Sequence, residues 1–78
     1  MADKCNKDIY EKGSVVAVLD GGSKVIEEAT QNASKECGFD IDWYYFGGRA
    51  VVKTLGDVNK ARESVLGQQS DNNFHVLQ

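Results

Sequence analysis

Few residues in this chain have the type and spacing that covalent or metal chemistry requires. The single histidine, His75, has no second histidine and no close Cys or carboxylate cluster beside it. A metal site needs three or four such ligands, so none is expected. Cys5 and Cys37 form neither a C-x-x-C redox motif nor a zinc knuckle. They read as reduced thiols of an intracellular protein, with a 5–37 disulfide as the alternative. Ser14, Ser23, Ser34, Ser64 and Ser70 lie outside any G-x-S-x-G elbow. Asp40 and Asp42 sit two apart on a strand-like run and share one face, where paired carboxylates could do acid–base work. Lys53 across the hairpin makes a structural ion pair with Asp42 the simpler expectation. No catalytic residue and no cofactor are expected.

Two patterns fit binding better than catalysis. Gly21-Gly22-Ser23, followed by Lys24, joins a strand to a helix start, where backbone N–H groups and the helix dipole favour an anion. The full phosphate-loop spacing is absent, and a tight turn with a capping serine explains the same residues. Tyr44, Phe46, Arg49 and Lys53 alternate along two strands and share one face. Aromatics and arginine are the residue types that dominate interfaces. That face is an interaction surface unless the N-terminal segment folds back over it.

The elements that position these residues follow from periodicity. Ser14 to Asp20 is an apolar, β-branched run closed by two glycines, which predicts a central strand. Ser23 to Cys37 repeats apolar residues every four positions, at Val25, Ala29 and Ala33, with Ile26 and Cys37 flanking. It predicts an amphipathic helix, capped by Ser23 and ended by Gly38. Asp40 to Phe46 and Arg49 to Leu55 flank Gly47-Gly48, which predicts a hairpin with a primed two-residue turn. That turn sets Phe46 opposite Arg49, Tyr44 opposite Val51 and Asp42 opposite Lys53. Phe46 and Arg49 are then placed for a cation–π contact. Asp57 to Leu66 predicts a second helix capped by Asp57, ending at Gly67, and Phe74 to Gln78 a short last strand. Residues 1–12 are expected to be a flexible arm or a short helix in which Cys5 and Ile9 face the same way. The order β-α-β-β-α-β predicts an α+β, ferredoxin-like fold with two helices on one face of an antiparallel sheet.

Seventy-eight residues fit one domain, and a charge of −3 argues against direct nucleic-acid binding while permitting an acidic mimic of nucleic acid. No segment is long and apolar enough to span a membrane. The start lacks the apolar stretch of a secretory signal, so a cytoplasmic location is expected.

The stretch from Val18 to Leu66 resembles the domain of bacterial microcompartment shell proteins. The matching residues are Gly22, Glu28-Ala29, Lys35, Tyr44, Gly47-Gly48-Arg49, Val51-Val52 and Gly56-Asp57-Val58. The pattern is broken at Glu36 and Lys53, charged where the family is apolar, and the family's C-terminal arginine-proline-histidine element has no counterpart. The resemblance implies a flat homohexamer, with Gly47 and Gly48 lining a pore and Lys35 at the edge between hexamers.

These readings converge on a small non-enzymatic protein that acts through protein contacts, most simply a self-assembling structural or adaptor protein. An inhibitor of phage or plasmid type that docks on a larger host complex fits the same features. So does a regulatory module that binds a small molecule.

Overall fold

The computed structural model describes residues 6–70 and 74–77. Helix α1, Lys7–Lys12, starts at Asn6, whose side-chain oxygen accepts from the Asp8 and Ile9 amides. Strand β1, Ser14–Asp20, leads through Gly21-Gly22 into α2, Ser23–Cys37. The N-cap of α2 is Gly22, with no side-chain capping bond; Ser23 is the first helical residue rather than the cap. The helix does end as expected, at Gly38 in the left-handed region with φ 80°. Strands β2, Ile41–Phe46, and β3, Arg49–Thr54, are joined by Gly47 and Gly48 at φ 62° and 80°. Two successive positive φ values define the type I′ turn, which only glycine adopts at little steric cost. Helix α3, Val58–Gly67, is capped by Asp57, whose Oδ1 accepts from the Lys60 amide at 3.1 Å. A 3₁₀ turn over Gln68–Ser70 precedes β4, His75–Val76.

The strands form one sheet in the order β2-β3-β1-β4, with every neighbour antiparallel. The β2–β3 register is the one the Gly-Gly turn dictates: Phe46↔Arg49, Tyr44↔Val51, Asp42↔Lys53. The β1–β3 register slips between Val15 and Ala17. Val16 is the extra residue, and both it and Ala17 enter the core. A bulge frees a carbonyl from the ladder, and here Arg62 of α3 donates from Nε to Val16 O at 2.9 Å.

Helices α2 and α3 cover one face of the sheet. Ile26, Ala29, Ala33, Ala61 and Val65 meet Val16, Leu19, Ala50 and Val52 in a single core cluster. Burying each of the larger aliphatic chains contributes about 1.5–3 kcal/mol. The buried stripe of α2 runs along Ile26, Ala29, Thr30 and Ala33, with Val25 and Cys37 at its margins. Phe74 is only 2% exposed and joins this core ahead of β4, so the last strand is His75–Val76, shorter than the Phe74 to Gln78 expected.

The expectation of two helices on one face holds for α2 and α3 and omits α1, which lies on the opposite face. Its Ile9 is 2% exposed, yet stands outside the core cluster beneath α2 and α3. Cys5 and the rest of 1–5 lie outside the described residues, as do 71–73 and Gln78.

Candidate interaction face

Strand alternation and register sort the outer face, the one opposite α2 and α3, into three rows across the sheet. At the hairpin end stand Phe46 and Arg49; the pairings Leu19↔Ala50 and Asp20↔His75 carry Asp20 and His75 into line with them. The middle row holds Tyr44, Val51 and Val18. Leu77 extends it, since its amide donates to Val18 O at 2.7 Å. The far row holds Asp42, Lys53 and Val15.

Helix α1 crosses the far row and grips it by both ends. The Asn6 amide donates to Asp42 Oδ2 at 2.7 Å, and Lys53 Nζ donates to Tyr10 O at 2.8 Å. The Tyr10 ring meets Tyr44 edge-on, with centroids 4.7 Å apart. Lys53 Nζ lies 6.0 Å from both ring centroids. Of the four residues that the sequence assigns to one exposed patch, Tyr44 and Lys53 are therefore half-covered. Phe46, at 75% exposure, and Arg49 stay open. The expected Asp42–Lys53 ion pair does not form, because each charged end is turned to the backbone of α1 instead. The cation–π geometry arises at Lys53 with Tyr10 and Tyr44 rather than at Arg49 with Phe46.

The open part of the face is apolar at its centre. Val15 is 48% and Leu77 46% exposed, with Val18 and Val51 half-buried between them. Sequence reading missed Asp20, His75, Leu77 and Val15 as members of this surface. Alternation marks each side chain's face, but only the strand order brings β1 and β4 beside the hairpin.

The other expected sites are placed differently. The Gly21 carbonyl accepts from the Tyr45 hydroxyl at 3.0 Å, and the Gly22 carbonyl accepts from the Ile26 amide as α2 begins. Gly21, Gly22 and Ser23 thus form a tight turn tied to the inner face of β2. Gly47 and Gly48 are exposed at the hairpin tip, about as far along the sheet as it extends from α1. Lys35 is exposed on α2. It borders a groove of about 480 Å³ that also involves Asn6, Thr30, Ser34 and Trp43.

Ser34 and Asp42 occupy the free edge of β2. Ser34 Oγ accepts from the Ile41 amide at 2.9 Å and directs its one proton to the Thr30 carbonyl at 2.9 Å, with the Ile41 carbonyl farther off at 3.2 Å. Asp42 Oδ1 accepts from the Trp43 amide at 2.9 Å. At Ile41 and Trp43 the amides that an incoming strand would use are already bonded to side chains.

Among the described residues no group of three or more His, Cys, Asp or Glu is placed to hold a metal ion. No helix among them is long and apolar enough to cross a membrane. No family model, no curated protein and no solved structure matches this chain.

Proposed function

We propose that this protein is non-enzymatic and works by docking a protein surface onto the uncovered part of its outer sheet face. The observation that carries the reading is Phe46, 75% exposed beside Arg49 and one row from the apolar Val51 and Val18. A large ring left in water costs free energy that only a partner recovers. The fold supports the same reading. The order β2-β3-β1-β4 with antiparallel neighbours is compatible with a ferredoxin-like βαββαβ arrangement, which would leave one sheet face free of its two main helices. In this chain α1 takes up part of that face and leaves the rest open.

The test is site-specific photo-crosslinking. A benzoylphenylalanine at position 46 is compared with one at Glu28, exposed on α2. Adducts with protein, of whatever identity, should form at position 46 and not at position 28. Equal or absent adducts at the two positions would remove the docking reading.

A further inference from the structure

The outer face carries its own complement. Across the hairpin-end row the strands β2, β3, β1 and β4 present Phe46, Arg49, Asp20 and His75. The order is ring, cation, anion, ring. Reversed, the row offers an anion where it had a cation and a ring where it had a ring. The middle row has the same property, because Val51 on β3 and Val18 on β1 exchange like for like.

We infer that the partner seated on this face is a second copy of the same chain, related by a two-fold axis that runs parallel to the strands midway between β3 and β1. This rests on the docking reading above and names its occupant. The rotation lays β3 of one copy over β1 of the other. Arg49 then faces the partner's Asp20, and the partner's Arg49 faces Asp20. Phe46 meets the partner's His75, and Val51 meets the partner's Val18. Sheets packed face to face in this near-aligned way are a standard solution for burying an apolar sheet face.

The bare and covered parts of the face also exchange under this rotation. Helix α1 stands over β2 and β3 at the far row, held by Asp42 and Lys53. The corresponding place on β1 is the half-exposed Val15. A helix is about as thick as the gap between packed sheets, so the two sheets meet at the hairpin-end and middle rows and splay apart at the far row, where α1 of each copy stands between Lys53 and the partner's Val15. An unrelated partner would need no such internal symmetry. The β2 edge is a poorer route where Ser34 and Asp42 already bond the outward amides of Ile41 and Trp43. An isologous contact of this kind closes at two copies and does not propagate.

Stable interfaces bury about 800 Å² per partner, and α1 takes up part of this face, so association should be weak and concentration-dependent. The test is sedimentation equilibrium from about 10 to about 500 µM, a range that brackets a weak dimer. Wild type should pass from monomer to dimer. Arg49→Asp and Asp20→Arg each place like charges opposite one another and should both stay monomeric. Mixed in equal amounts they restore both pairs, and the mixture should dimerise at least as well as wild type. Circular dichroism of each variant checks that it folds; where one does not, Arg49→Ala replaces it and should weaken association by roughly ten-fold, the size expected for a lost interfacial ion pair.

Wild type that stays monomeric throughout overturns the inference, as do single variants that dimerise normally or a mixture that stays monomeric. These outcomes differ from failure of the docking reading. Monomeric wild type with hetero-protein adducts at position 46 would leave the face a docking surface for another protein.

Discussion

Lys53 Nζ donates to the carbonyl of Tyr10 at 2.8 Å, across a sequence separation of 43 residues. That one bond ties the last turn of a six-residue helix to the open end of the hairpin, away from its turn. A helix so short is unstable by itself, and α1 depends on this clamp, on Asp42 and on the burial of Ile9. Lys53→Met keeps the aliphatic stem and removes the donor. It should cost about 1–2 kcal/mol, in the range for a hydrogen bond from a charged group that is partly solvated. Amide exchange should quicken across residues 7–12 and stay unchanged in β1. Ile9→Ala should do the same more strongly, by about 2–4 kcal/mol, because it also leaves a void.

Gly13 ends α1 with an ordinary extended backbone, φ −69°. Its need for glycine is one of space. A Cβ there would fall on the Ile9 carbonyl and reach 3.1 Å from the Thr54 carbonyl, both rigid backbone. Gly13→Ala should therefore destabilise by about 1–3 kcal/mol, the usual range for overpacking. Gly22→Ala meets nothing within 4 Å and should cost less than Gly13→Ala in thermal melts of the two variants, about 0.5–1 kcal/mol, because alanine is a poorer N-cap than glycine.

The hairpin was the most legible part of the chain, and its tip shows why. Gly47-Gly48 leaves one compatible turn, and a two-residue turn leaves one register. Replacing either glycine with alanine forces a side chain to φ 62° or 80° and should cost about 1–2 kcal/mol each, by chemical denaturation. Gly47→Asn should cost less, since asparagine tolerates the left-handed region.

Elsewhere the pattern carried less information. The run Ser14–Asp20 is apolar at five successive positions, Val15 to Leu19, so no alternation remained to reveal the bulge at Val16. The expected capping role of Ser23 failed because the chain turns into α2 one residue earlier, at Gly22. The side of the sheet taken by α1 is set by Asn6, Tyr10, Asp42 and Lys53 meeting across 36 to 43 residues. Polar residues at such separations carry no periodic signal. For the same reason Tyr44 and Phe46 looked alike in sequence, although only Phe46 is fully open.

The bulge has its own dependence. Arg62 Nε reaches Val16 O, the carbonyl of the extra residue. Arg62→Met preserves the stem and leaves that carbonyl without its donor, at a cost of about 1–2 kcal/mol. Because the slack lies between β1 and α3, exchange should rise at residues 15–17 and not in the β2–β3 hairpin. Equal protection in both places would show that the bulge is held by core packing alone.

The last prediction concerns the edge of β2. Ser34 Oγ accepts from the amide of Ile41, and Asp42 Oδ1 accepts from the amide of Trp43. An edge strand with its amides unpaired is a template for another strand. Ser34→Ala with Asp42→Ala frees the outward amides of Ile41 and Trp43 on a strand rich in aromatics. It also releases Asn6, so the end of α1 loosens as well. The double variant should form assemblies larger than dimers, with β-sheet signal rising as concentration increases. Adding Arg49→Asp separates the two routes, because it opposes face-to-face pairing and leaves the β2 edge untouched. Assembly that persists in the triple variant proceeds through the edge, and assembly that vanishes in it proceeds through the face. Were the double variant to behave as wild type, Ser34 and Asp42 would be stabilising local bonds without guarding the strand.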